Sequence, residues 1–193
     1  MAERPDVVVL KNVRLGFPKL WKAEAATADA TPKFGASLII EAGTADEKAN
    51  LKACEAAVSY VAKKTWADKA ERIVGAIERK RKSYRDGDGE TNEEGETWDG
   101  FAGAMIVSAK NNKRPQILNR DKTPLAEEDG VVYSGCYVDA VVSFYTTSKK
   151  EQGGNGIFAS LEIVRFRKDG DSFGAGKLNV DDYLDDVEDD DVI

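Results

Sequence analysis

Basic side chains crowd one short stretch near the middle of the chain, "ERKRKSYR" at positions 78–85. Its five cations, Arg79, Lys80, Arg81, Lys82 and Arg85, surround a single aromatic residue, Tyr84. Clustered cations suit the phosphates of a polyanion, and an aromatic ring offers a face on which a base can stack. The basic end of a solvated helix has the same composition. The stretch therefore leaves two alternatives, a phosphate-contacting patch and a plain surface.

Further cations and aromatic residues lie in predicted loops and on predicted strand faces. The additional candidates for phosphate contacts are Lys33, Lys110, Lys113, Arg114, Lys149 and Lys150. The candidates for stacking on bases are Trp21, Tyr84, Trp98, Tyr137 and Tyr145, while Phe34, Phe144 and Trp66 are predicted to be core residues. Loop cations and strand-face aromatics are what binding a flexible single strand requires.

Catalytic motifs fail on inspection. The chain has no histidine, which removes the commonest general base and most zinc sites. The stretch "GDSFGAGKL" has Leu178 where a phosphate loop needs Ser or Thr, and "DGDGETNEEGET" lacks the glycine and the closing Glu of a calcium loop. We therefore expect a protein that is not an enzyme and that uses no metal and no cofactor.

The elements that must position these side chains are mainly strands. Strands are predicted over residues 7–17, closed by Pro18, and over "KFGASLII", "AMIVSA", "QIL", "YSGCYVDAVVSFYTT" and "IFASLEIVRFRKDG". "TADE" at 44–47 has the pattern of a capping box and predicts a helix from there to about residue 64, with a second helical segment over 67–83. Short strands, Gly-rich turns and one helical insertion favour a five-stranded OB-fold-like barrel.

Charge is divided unevenly along the chain. The whole chain has 28 basic and 35 acidic side chains, and eight of the acids lie in the last thirteen residues, "DDYLDDVEDDDVI". Residues 1–180 therefore hold 28 basic and 27 acidic side chains, so a net charge of −7 does not prevent the body from presenting a basic face. The predicted organisation is a binding domain over 1–178, with a helical insertion at about 44–83 and a flexible loop at about 86–100, followed by a disordered acidic tail over 179–193.

Two further observations concern the compartment. No basic, apolar signal segment and no membrane-spanning run is visible, so the protein is expected to stay where it is made. Cys54 and Cys136 lie in unlike contexts without a CxxC motif, which predicts two buried thiols rather than a disulfide.

Several of these segments resemble a family of single-stranded DNA-binding proteins of tailed bacteriophages. The resemblance is carried by "VVYSGCYVDAVVSFY" and "GIFASLEIVRFRKDGDSFG", together with "LKNVRLGFPKLWK", "KFGASLII" and the acidic end. It implies an OB-fold, sequence-tolerant binding of single-stranded DNA in phage DNA replication, recombination and repair, a homodimer, and residence in the cytoplasm of the infected host.

The resemblance also implies that the acidic tail competes with DNA for the groove and recruits replication partners such as the DNA polymerase. The tail residues concerned are Asp185, Asp186, Glu188, Asp189, Asp190, Asp191, Val192 and Ile193. Tails of this kind commonly end on an aromatic residue, whereas this chain ends on Val192 and Ile193. The identity of the partner is therefore not implied.

Two other functions stay open at the level of sequence. Acid-rich segments are compatible with a DNA-mimicking inhibitor of a host enzyme, which would not bind oligonucleotides even without its tail. Abundant carboxylates are compatible with a metal-dependent nuclease, which would cleave DNA when magnesium or manganese is added.

Overall fold

The computed structural model describes residues 4–174, and the predicted acidic tail, with its proposed partner-binding residues, lies outside that range. The strands are β1 Val7–Glu24, β2 Lys33–Ile40, β3 Tyr84–Asp86, β4 Met105–Asn111, β5 Gln116–Leu118, β6 Tyr137–Thr147 and β7 Gly156–Lys168. The two α-helices are α1 Glu47–Trp66 and α2 Ala70–Ala76. None of the helices in this part of the chain has the length and apolar character needed to cross a membrane.

Five of the strands close into a barrel in the order β1, β2, β4, β7, β6 and back to β1. All of these neighbours are antiparallel except β4 and β7, which run parallel and meet at Ala109 and Ala159. The predicted OB-fold-like barrel, with helices inserted between its second and third strands, is confirmed.

Ser83 completes the closure between β4 and β7. Its backbone N–H donates to Ile157 O at 2.8 Å, and its carbonyl accepts from Ser108 N at 2.9 Å. Its hydroxyl oxygen accepts the N–H of Ala159 at 2.9 Å, and the residue is buried. Ser83 therefore makes three hydrogen bonds at the seam where direct strand pairing is shortest, two through its backbone and one through its hydroxyl.

The barrel interior is filled by alternating residues, as strand periodicity predicts. Leu38 and Ile40 of β2 face Val138, Val142 and the predicted core residue Phe144 of β6 within one buried cluster. Cys54 and Cys136 also belong to this cluster as free thiols, which confirms that prediction. Trp66 packs against the cluster but is only half-buried.

Strand β1 is longer than predicted, because it continues through Pro18 to Glu24. The expectation that Pro18 closes the strand is wrong. The register shifts between Leu10 and Val13 and again between Gly16 and Lys19. At these shifts Asn12 and Phe17 adopt φ of 52° and 46°, so the strand bends around the barrel instead of ending.

The helical insertion also differs from its prediction in detail. Helix α1 begins at Glu47 with Asp46 as its N-cap, and Thr44 makes no capping bond because its hydroxyl donates to Glu41 O. Helix α2 ends at Ala76, so the predicted helix over 67–83 is too long. The basic residues that follow lie in a 3-10 turn, Arg79–Arg81, and in extended chain, because Ser83 must reach the seam between β4 and β7.

The outer face of β2 and β4 is covered over only half of its length. Ile39 and Ile106 pair across the two strands and are buried beneath Phe101 and Ala104 of the preceding loop, with Phe173 packed beside them. The next pairs, Ser37 with Ser108 and Gly35 with Lys110, are not covered in this way. The uncovered half is where the candidate site lies.

Candidate nucleic-acid interface

A cavity of about 570 Å³ occupies the open half of this barrel face. Its floor is formed by β2 and β4, including Gly35 and Ser108, and its walls by the β1–β2 loop, the turn after α2 and the ends of β6 and β7. We call it the first cavity. A Cβ atom at Gly35 would lie 2.7 Å from Ala109 O, so only glycine fits this floor position without a shift.

Cations dominate the lining of the first cavity. Among the described residues that line it are six basic side chains and one carboxylate, that of Glu24. The basic side chains are Lys19, Lys33, Lys80, Lys82, Arg85 and Lys110. Burial, and then the nearby charges of Lys19, Lys33 and Arg85, lower the pKa of Lys110 below its usual value. The neighbouring positive charges, though not the burial, make the site electrostatically suited to an anion.

Aromatic rings stand among these cations. Tyr145 of β6 and Phe158 of β7 are cross-strand neighbours with ring centroids 5.9 Å apart at 36°, and both line the first cavity. Phe34 and Phe17 line it as well. Phe34 was expected in the core, but it is half-buried because it lies where β2 enters the barrel, with its ring on the cavity.

The structure separates the members of the basic cluster that the sequence groups together. Arg79 Nη1 lies 2.5 Å from Asp86 Oδ2, and Arg85 Nε lies 2.8 Å from Glu90 Oε1. The hydrogen bond from Arg85 is the main reason that the pKa of Glu90 is lowered. Both arginines are thus tied to carboxylates, and Arg85 lines the first cavity together with Lys80 and Lys82 whereas Arg79 does not.

Arg81 fastens the loop between β6 and β7. Its guanidinium donates to the carbonyls of Asn155, Gln152 and Gly154 at 2.9, 3.1 and 3.0 Å, and to Thr147 Oγ1 at 3.1 Å. It also lies 5.3 Å from the ring centroid of Phe158. These contacts make Arg81 a positioning residue for one wall of the first cavity.

Other predicted site residues lie elsewhere on the barrel. Trp21 and Tyr84 are half-buried against the core, with Arg114 4.7 Å from the ring centroid of Trp21. Tyr137 donates to Glu41 Oε2 at 2.9 Å. None of these residues lines the first cavity, and the same holds for the exposed loop residues Lys113, Lys149 and Lys150. Their roles in binding stay predictions.

Comparison with known proteins decides the family. A family model described as "Enterobacter phage Enc34, ssDNA-binding protein" matches residues 6–193. The chain belongs to this family. A relative designated p50, from Acyrthosiphon pisum secondary endosymbiont phage 1, is 34% identical over 180 residues, which is 92% of each chain.

Solved structures of the Enc34 protein have the same fold. The single-stranded DNA-binding protein from bacteriophage Enc34 matches with a TM-score of 0.67 and 26% identity, over 93% of this chain and 90% of that chain. The same protein in complex with ssDNA matches with a TM-score of 0.70 and 24% identity, over 88% and 90%. The gp2.5 protein of bacteriophage T7 shares the fold at 10% identity, with a TM-score of 0.57 over 94% and 96%.

Sequence reasoning missed several side chains that this family member presents in the first cavity. Lys19 and Phe17 were overlooked because Pro18 was expected to end β1, which left both at a strand end. Phe158 could have been found from its position in the strand, because it lies between the buried residues Ile157 and Ala159 and so points to the opposite face. The "GFP" triplet at 16–18 was a further signal, since glycine and proline inside a strand mark bulges.

Proposed function

We propose that this protein is a sequence-tolerant single-stranded DNA-binding protein that coats and protects DNA in phage replication, recombination and repair. The observation that supports it best is the first cavity. Lys33, Lys82 and Lys110 line the same concave face as the rings of Tyr145 and Phe158. A single strand needs both groups in the same place, because lysines bind its phosphates and aromatic rings stack on its unpaired bases. Membership of the Enc34 family supports the same substrate.

The position of the rings favours a single strand over a duplex. Tyr145 and Phe158 line the same concave cavity as the lysines, so a base must leave its stack to lie against the face of either ring. In a duplex the bases are paired and present only their edges in the grooves. A single strand offers the faces of its bases without the cost of unpairing, and stacking on an aromatic ring tolerates every base.

We further propose that the acidic tail shields the groove when DNA is absent and binds replication proteins, such as the DNA polymerase, when DNA displaces it. Eight carboxylates in thirteen residues match the cationic lining in charge. The described chain leads toward the groove, because Phe173 and Gly174 line a cavity that adjoins the first one.

Titration with a fluorescent oligo-dT tests both proposals. The full-length protein is compared with a chain stopped at Leu178, at low and at high salt. We expect both to bind the single strand in preference to a duplex of the same length, and the shortened chain to bind more tightly, most clearly at low salt where screening is weakest. Preference for the duplex would contradict the binding proposal, and equal affinities of the two chains would contradict the shielding role alone.

The proposal includes a homodimer acting in the cytoplasm of the infected bacterial host. Sedimentation equilibrium of the full-length protein measures the assembly state directly. A mass of about twice the 21.0 kDa of the chain is the expected result, and a monomer across the micromolar range would contradict it.

A further inference from the structure

A second cavity, of about 510 Å³, adjoins the first one on the same side of the barrel. Both cavities are lined by Phe17, Lys19 and Glu24, so they share a boundary at the second bulge of β1. The far side of the second cavity is formed by the loop that contains Trp98 and by Phe173. Together the two cavities form one groove with two arms.

The two arms differ in charge. The second cavity is lined by the carboxylates of Glu24, Glu96 and Asp99, and Lys19 is the one basic side chain among the described residues that line it. Lys19 Nζ lies 2.9 Å from Glu24 Oε2, so that positive charge is already compensated. A phosphate placed in the second cavity would face uncompensated negative charge. The backbone of a nucleic acid is therefore excluded from it.

The second cavity nevertheless presents aromatic surface. Phe17 and Trp98 keep 46% and 41% of their surface exposed, and their ring centroids are 5.1 Å apart at 80°. The ring of Phe101 lies beneath, 5.8 Å from Phe17. The left-handed φ of Phe17 is unusual for a residue with a side chain, and such backbone strain is concentrated at functional sites.

We propose that the second cavity is a subsite for one unstacked base of the strand whose phosphates lie in the first cavity. This proposal rests on the proposed function. A neutral, planar base gains stacking on Trp98 and Phe17 without bringing a phosphate among the carboxylates. Phe17 lines both cavities, so its ring lies where the base would leave the lysine-lined arm and enter the acidic arm.

The two arms then make separable contributions to binding. Contacts with phosphates weaken as salt rises, whereas stacking on a ring is nearly independent of salt. We expect Trp98→Ala to weaken binding of oligo-dT by about 5- to 150-fold at every salt concentration and to leave the slope of log K against log salt unchanged. Trp98→Phe retains a ring and should recover most of the affinity.

Tyr60→Ala is the matched control, because Tyr60 on α1 is 38% exposed and lines neither cavity. It should bind as the unchanged protein does. Phe17→Gly is the second test variant, since glycine accepts the left-handed φ and removes the ring that packs edge-on against Trp98. It should weaken binding with the same unchanged slope.

The outcomes separate this inference from the proposed function. If the unchanged protein binds with a salt-dependent affinity while Trp98→Ala and Phe17→Gly bind equally well, the subsite is refuted and the proposed function stands. A reduced slope in Trp98→Ala would also overturn the subsite, because it would indicate a phosphate contact. An equal loss in Tyr60→Ala would attribute the effect to the fold as a whole. If the unchanged protein binds no oligonucleotide, both proposals fail.

Discussion

Replacing Lys110 by methionine should weaken DNA binding while leaving the fold at least as stable. The Lys110 side chain runs beside Gly35, and its charge stands near Lys19, Lys33 and Arg85. Burial and these neighbours lower its pKa, so between that lowered value and the usual 10.5 the unfolded chain binds more protons. Stability must therefore rise with pH through this window, and at neutral pH the charge of Lys110 opposes folding. Methionine keeps the apolar stem without that charge.

The size of the binding effect follows from which cations are available. Among the described residues, Lys33, Lys82 and Lys110 line the first cavity without an ion-pair partner, whereas Lys19, Lys80 and Arg85 each face a carboxylate. Three available lysines predict a slope of about −2 for log K against log salt, at about −0.7 per phosphate, and Lys110→Met should reduce it to about −1.4. Losing one exposed charge contact of about 1 kcal/mol lowers the affinity about 5-fold at 0.1 M salt.

Fluorescence anisotropy of labelled oligo-dT across a fourfold range of salt provides the assay. Because one phosphate contact is removed, the ratio of the two affinities should shrink by about 2- to 3-fold over that range. Lys11→Met is the control, since Lys11 is exposed on β1 and lines neither cavity. The reasoning is refuted if Lys110→Met keeps the original slope, or if Lys11→Met changes it equally. A lower thermal midpoint for Lys110→Met at pH 7 would contradict the stability argument.

Three further predictions concern the barrel itself. Ser83→Ala leaves a buried amide of β7 without its acceptor, so urea unfolding should show a loss of about 1–3 kcal/mol, whereas Ser37→Ala on the open face should show much less. Burial raises the pKa of the Cys54 thiol to about 12, so a disulfide reagent at pH 8 should modify it only after urea is added, and labelling of the folded protein would be the contrary result. Burial alone would raise the pKa of Asp139, but hydrogen bonds, that from Arg165 foremost, lower it below 3.8. Its stabilising contribution is therefore present above that value and lost as pH falls below it, and Asp139→Asn should flatten the acid limb of thermal unfolding measured from pH 5 to pH 2.

The sequence by itself determined the class of the fold and favoured a nucleic acid as the ligand. Alternation in the strand around Phe144, and in "KFGASLII" after Phe34, placed the interior of the barrel correctly, because the alternation of faces along a strand depends only on the order of residues. The partition of charge between residues 1–180 and the tail needed only counting. The absence of histidine already made catalysis a weaker expectation than binding.

The alternation of residues along a strand could not show which part of its outward face is covered by another segment of the chain. Ile39 and Ser37 share the outward side of β2, yet only Ile39 lies beneath Phe101. Phe101 lies in a loop about sixty residues later in the chain, so its contact with Ile39 cannot be predicted from the local sequence. The open half, and hence the position of the first cavity, was decided by tertiary structure.

In the basic cluster at 79–85, the sequence likewise could not show which cations are neutralised by neighbouring groups. Its five cations are equivalent in sequence, but Asp86 and Glu90 fold back onto Arg79 and Arg85, and Arg81 is held by the loop between β6 and β7. Lys80 Nζ lies 3.3 Å from Glu78 Oε2, so among the described residues Lys82 is the cation of this cluster that lines the groove without an ion-pair partner. Residue types therefore predicted that the body can attract a polyanion. Only the folded chain decided which cations are available to it, because availability depends on carboxylates and carbonyls brought close by folding.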